Sequence, residues 1–159
     1  MKELSKNERM DFMRKFAQVS AYPAQSISLP KRATENSAGY DFESAEDVVI
    51  RIGETKVVKT GVKCYMNPGE YLQLQVRSSI AIDGKLMMAN APGIVDADYV
   101  DNKKNEGEIG FILYNAGQYD YKIEKGQRIG QGIFQPYLTT DEEIKVTKKR
   151  DGGMGSTGN

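Results

Sequence analysis

The chain has no histidine, no tryptophan and a single cysteine, and its 22 basic residues are balanced by 22 acidic ones. Each shortage excludes a class of chemistry. Without histidine there is no imidazole triad, no histidine-ligated zinc and no imidazole general base. One cysteine excludes an internal disulfide and a cysteine-rich metal site, and Cys64 lies in an apolar strand pattern that reads as core. A formal net charge of zero gives no global field for nucleic acid or a membrane surface. A polyanionic ligand would have to be met locally. No long apolar span or signal peptide is visible, so a cytoplasmic protein is expected. An enzyme of this composition needs a carboxylate to take protons, and its metal would be a hard, oxygen-liganded ion.

What is present reads as one domain of 159 residues. A helix is expected over 5–16, where Ser5 and Glu8 form an S-x-x-E capping box and Met10, Met13 and Phe16 recur at helical spacing. Tyr22-Pro23 ends that unit. Beyond it the pattern is β throughout. Strands are expected at 48–50, 56–66, 71–76, 86–89, 109–114, 119–123 and 129–137, with Gly and Pro in nearly every gap. The segment 71–76 alternates cleanly, Leu72, Leu74 and Val76 against Gln73 and Gln75. Many short strands between turn signals argue a sandwich, jelly roll or barrel. Residues 100–108 are a polar loop without core signal. Residues 150–159 carry glycines and little apolar surface, as expected of a flexible C-terminal arm unless something binds it. The expected organisation is an N-terminal helical extension (1–22), a β domain (23–149) and the arm (150–159).

The rest is organised around residues 88–99, MANAPGIVDADY. Pro92-Gly93 suits the centre of a turn, with Pro92 fixing φ and Gly93 tolerating φ > 0. Asp96, Asp98 and Tyr99 then crowd the end of a short hairpin arm. Taken singly, the polar groups around it stay ambiguous. Arg77-Ser78-Ser79 reads as a strand cap or as a phosphate contact. Asp41 reads as a turn residue or as a holder of the water shell of Mg²⁺. Gly152, Gly153, Gly155, Ser156, Thr157 and Arg150 read as a loose terminus or as a phosphate cradle. Arg128 reads as a structural ion-pair former.

Five segments in order carry a more specific signal: Ala38-Gly39-Tyr40-Asp41-Phe42, VRSS at 76–79, NAPGIVDADY at 90–99, KGQRIGQ at 125–131 and RDGGMGSTG at 150–158. Together they resemble the five motifs of the trimeric deoxyuridine triphosphatase (dUTPase) family, in a form like those of Firmicutes and their phages. The resemblance implies an all-β, distorted jelly-roll homotrimer with three active sites, each built from all three subunits. It implies hydrolysis of dUTP to dUMP and pyrophosphate, assisted by Mg²⁺. The hairpin with Asn90, Gly93, Val95 and Tyr99 would hold uracil and deoxyribose, Tyr99 excluding a 2′-hydroxyl. Asp96 would activate the water that attacks the α-phosphorus. Arg77, Ser78, Ser79 and Gln131 would contact the phosphates. Arg150, Gly155, Ser156 and Thr157 would close over the γ-phosphate, and Asp41 would bind the magnesium-bound water.

Two departures stand out against that family. Met154 replaces the usual phenylalanine that stacks on uracil, and residues 101–106, DNKKNE, look inserted between Tyr99 and Gly107. A dCTP deaminase is disfavoured, because Ile112 and Ile82 stand where that family has a glutamate and an arginine. A phage-type regulator that binds a repressor is the other alternative. The helix at 5–16 and the insertion would be the places for that partner.

Overall fold

The computed structural model describes residues 13–153. In chain order the strands are β1 (Lys15–Gln18), β2 (Lys31–Arg32), β3 (Tyr40–Glu43), β4 (Val48–Ile50), β5 (Thr55–Lys59), β6 (Val62–Tyr65) and β7 (Glu70–Val76). A short helix α1 (Ser78–Asp83) follows, then β8 (Leu86–Met88), β9 (Gly93–Asp96), a 3₁₀ turn (Ala97–Tyr99), β10 (Gly110–Asn115), β11 (Tyr121–Ile123) and β12 (Arg128–Pro136). They pair as a five-stranded sheet β2-β3-β12-β7-β9, a three-stranded sheet β5-β10-β8 and the pairs β1-β6 and β11-β4. Every pairing is antiparallel. The all-β expectation holds.

The core lies between these sheets. Leu72 and Leu74 of β7 turn inward with Phe42, Ile50, Phe111, Leu113, Ile123 and Ile129, all buried. The period-two pattern at 71–76 therefore specifies which face of β7 is covered. Gly130 and Gly132 of β12 leave room for aromatic rings: a Cβ at 130 would lie 2.0 Å from Phe111 Cε1, and one at 132 would lie 2.9 Å from Phe42 Cε2. Cys64 is buried in β6, and burial pushes its thiol up to about 12, in keeping with a core residue rather than a reactive one.

Several local expectations are corrected. Residues 5–12 of the expected helix lie outside the described residues. At its far end Lys15–Gln18 is a strand on β6, with Phe16 packed edge-on to Phe42 at 5.5 Å. Tertiary packing of one aromatic outweighs the helical spacing there. The single strand expected over 56–66 is two, broken at Gly61, whose φ of +70° and contact with Ile27 suit no larger residue. Ser78–Asp83, for which the sequence carried no assignment, is helical and buries Ile80. Gly93 is not at a positive φ. It opens β9, where a Cβ would press on Met88 Cε at 2.9 Å and Leu74 Cβ at 3.1 Å. Its requirement is close approach, not a turn conformation.

The loop at 100–108 also has core character. Asn102 is buried, and its amide donates to Tyr99 O at 2.8 Å. Lys63 donates to Asp101 at 2.6 Å and to Glu106 at 2.7 Å. Tyr65 Oη donates to Asp101, and Ser20 donates to Glu106 through both its amide and its hydroxyl. Gly107, at φ +82°, closes the loop against the backbone of Tyr99 and Val100.

Candidate active site

The hairpin expected at 88–99 does not form: β8 pairs with β10 and β9 with β7, in different sheets, and the connection between them borders a cavity of about 250 Å³ lined by Asn90, Gly93, Val95, Asp96, Tyr99 and Ile112, among others. Its shape follows from the register of β9 on β7: Gly93 opposite Leu74, Val95 opposite Leu72, Asp96 opposite Tyr71. Alternation buries Val95 and leaves Asp96 exposed at the rim. The 3₁₀ turn then swings Tyr99 inward, only 7% exposed. Its hydroxyl donates to Glu108 O at 2.9 Å and accepts from Asn105 Nδ2 at 2.8 Å. Burial raises its pKa, so the phenol stays protonated and able to donate.

Arg150 reaches this rim from the far end of the chain. Its Nη2 donates to Asp96 Oδ2 at 2.5 Å and its Nε to Asp98 Oδ1 at 2.8 Å, while the guanidinium lies 5.9 Å from the centre of the Tyr99 ring. Gly152 and Gly153 follow, both buried, against Lys104 and Asn105 of the 101–106 loop. Met154, Gly155, Ser156 and Thr157 lie outside the described residues.

A second, separate pocket of about 280 Å³ gathers Asp41, Arg77, Ser78, Ser79 and Gln131. Three strands bring them together, since Gln131 of β12 is opposite Asp41 on β3 and Gln75 on β7, with Arg77 just past the end of β7. A Cβ at Gly39 would fall 2.3 Å from Gln131 Oε1, so a glycine there lets the amide stand in the pocket. Asp41 faces two guanidiniums, Arg77 at 3.5 Å and Arg128 at 3.3 Å. Arg128 is thus the ion-pair former its position suggested.

The expected site residues therefore fall into two groups within one chain. Asp96 is level with Tyr71 at one end of β7, and Arg77 follows the other end. Six residues of strand separate the two levels by about 20 Å. Sequence reasoning missed Asn102 and Asn105, which hold Tyr99 at both its carbonyl and its hydroxyl, and the role of Asp98 as a second partner of Arg150. The Asn-x-x-Asn spacing just after the tyrosine was the available signal, since such side chains bond to nearby backbone.

Comparison with known proteins agrees with this geometry. The dUTPase family model matches residues 25–158. The deoxyuridine 5'-triphosphate nucleotidohydrolase of Lactococcus lactis subsp. lactis is 43% identical over 147 residues, covering 92% of this chain and 98% of that protein. The crystal structure of dUTPase from Streptococcus mutans superposes with a TM-score of 0.75 at 40% identity, over 79% of this chain and 98% of that one. A mutant dUTPase from phage phi11 of S. aureus, whose structure describes coordination of a structural Mg(II) ion, shares the fold with a TM-score of 0.69 at 24% identity, over 86% and 97% of the two chains. The match across most of the chain establishes that this protein belongs to the dUTPase family.

Proposed function

We propose that this dUTPase hydrolyses dUTP to dUMP and pyrophosphate in a site made by the Tyr99 cavity of one copy and the Arg77 pocket of another. The observation that carries the reading is the separation of the two groups along β7. A triphosphate whose base lies in the Tyr99 cavity cannot also reach Arg77 of the same chain, about 20 Å away. A homotrimer in which neighbouring copies face each other brings the groups together and closes three equivalent sites.

In that site uracil and deoxyribose occupy the cavity, with β9 backbone and Asn90 against the base edge and Tyr99 against C2′. Asp96 takes a proton from water as the oxygen attacks the α-phosphorus. The bond from that phosphorus to the bridging oxygen breaks, and pyrophosphate leaves. Arg77, Ser78, Ser79 and Gln131 meet the phosphate charge, which the neutral protein must neutralise locally. The residues fit a Mg²⁺ ion carried on the triphosphate. Asp41 is the one carboxylate lining the pocket and already faces two guanidiniums, a setting suited to a metal-bound water rather than to a bare dication. Bound there, the ion supplies neutralisation of phosphate charge.

Arg150 exchanges its contact with Asp96 for the γ-phosphate in this reading, which frees the base when a triphosphate is present. Gly155, Ser156 and Thr157 close behind it, and Met154 covers the base. The 101–106 insertion favours a local role over capture of a regulatory partner, because Asp101, Asn102, Asn105 and Glu106 turn to the protein's own groups. Ile112 in the cavity wall cannot transfer a proton, which disfavours deamination. The test is pyrophosphate release from dUTP, dTTP, dCTP and UTP. Turnover confined to dUTP supports the reading; equal turnover of UTP or ammonia release from dCTP overturns it.

A further inference from the structure

We infer that Asn105, in the 101–106 insertion, is a positioning residue that fixes the Tyr99 ring and thereby sharpens the choice of deoxyribose over ribose. The inference rests on the reading of Tyr99 as the group facing C2′. Tyr99 is held at two points. Asn102 Nδ2 donates to its carbonyl at 2.8 Å, and Asn105 Nδ2 donates to its hydroxyl at 2.8 Å. The hydroxyl in turn donates to Glu108 O, so the far end of the ring has both a donor and an acceptor in place.

The two asparagines are locked to each other as well. Asn102 Nδ2 donates to Asn105 Oδ1 at 2.7 Å, and the same oxygen accepts from the amide of Gly107 at 3.2 Å. The loop that carries them is fastened to the body by Lys63, Tyr65 and Ser20 through Asp101 and Glu106. A tyrosine ring pinned only at its Cα can rock about its broad outer torsion. Rejecting a 2′-hydroxyl means rejecting one extra oxygen atom, and a wall that yields by a fraction of an ångström admits it. The side-chain amide of Asn105 removes that freedom.

Asn105 also touches the tail. A Cβ at Gly153 would lie 3.3 Å from Asn105 Nδ2, so the amide that holds the ring also lies beneath the closing segment. The insertion thus lies between the sugar wall and the arm, in contact with both.

The experiment is kcat/KM for dUTP and for UTP with the full chain, in wild type and in Asn105→Ala, Tyr99→Phe, the double variant and Tyr99→Ala. Loss of one neutral hydrogen bond is expected to narrow the dUTP/UTP ratio by about 3- to 10-fold in Asn105→Ala. Tyr99→Phe removes that bond from the ring side, together with the donation to Glu108 O, and leaves the loop untouched, so it should narrow the ratio at least as much and keeps the test open if Asn105→Ala does not fold. The double variant should fall short of the product of the two single effects, because both changes remove the shared Asn105–Tyr99 bond. A wild-type ratio in Tyr99→Phe or in folded Asn105→Ala, or effects that multiply in the double variant, overturns the inference. Tyr99→Ala separates the failures. If it collapses the ratio while Asn105→Ala does not, only the positioning role falls; if it leaves the ratio unchanged, Tyr99 is not the sugar wall and the inference falls with it.

Discussion

Arg150 donates to the Asp96 carboxylate at 2.5 Å, joining the last stretch of the described chain to the rim of the Tyr99 cavity. A second bond from the same guanidinium reaches Asp98 at 2.8 Å. Arginine side chains rarely lie as deep as this one, 14% exposed, without such a planar, two-point partner. The contact ties the arm to the carboxylate proposed as the base.

Asp96→Asn keeps the shape of the side chain and cannot accept the proton. Turnover of dUTP is expected to fall by about 10²–10⁴-fold, with nucleotide binding retained. Asp98→Asn, which removes only the second partner of Arg150, is expected to cost far less. Pyrophosphate release with both variants checks the assignment, and wild-type turnover in Asp96→Asn would remove it as the base.

Truncation after Lys149 is expected to leave a folded protein, because 137–149 is exposed and no core residue lies beyond it among the described residues. Hydrolysis should slow strongly while binding of a non-hydrolysable dUTP analogue persists. In the full chain the analogue with Mg²⁺ should protect the arm from limited proteolysis, and dUMP should not. Ordering chain costs roughly 1–2 kcal/mol per residue, which only a ligand offering several charged hydrogen bonds can offset. Full activity after truncation, together with no protection, would take the arm out of the mechanism.

Much of this was legible in the sequence because the signals were local. The alternation at 71–76 specifies the inward face of β7, and motif residues such as Tyr99 and Arg77 do line the two pockets. What was not legible depends on contacts between distant segments. Phe16 reads as a helical position yet packs on Phe42, which turns Lys15–Gln18 into a strand. Gly93 reads as a turn residue yet is selected by Leu74 on the neighbouring strand β7 and by Met88 of β8. Residues 101–106 read as solvated because they are polar, but their partners Lys63, Tyr65 and Ser20 lie far away in sequence. No window of neighbouring residues reveals that a charged loop has buried counterparts.

The clamp on that loop predicts a pH dependence. Hydrogen bonding to Lys63, then to Ser20, lowers Glu106 from 4.5 to about 2, and Lys63 holds Asp101 low as well. Burial alone would lower the Lys63 pKa, but its two carboxylate partners outweigh burial and raise it. Depressed acids stabilise the fold above their unfolded pKa, and that contribution is lost as pH falls through the folded value. Glu106→Gln should therefore have a lower Tm than wild type at pH 7. The gap should shrink from about pH 4.5 downward and close near pH 2. A gap that stays constant across that range would mean the ion pair does not stabilise the loop.

The central claim is that one site draws Asp96 and Arg77 from different copies of the chain, and mixing inactive variants tests it most directly. Asp96→Asn and Arg77→Ala are each expected to hydrolyse dUTP poorly. When the two are unfolded together and refolded as mixed oligomers, sites that pair an intact Asp96 with an intact Arg77 reappear. At equal proportions about a quarter of the sites should be restored, and pyrophosphate release should rise well above that of either parent. A mixture no more active than its parents, although mixed oligomers have formed, would contradict the account and return both residues to a single chain.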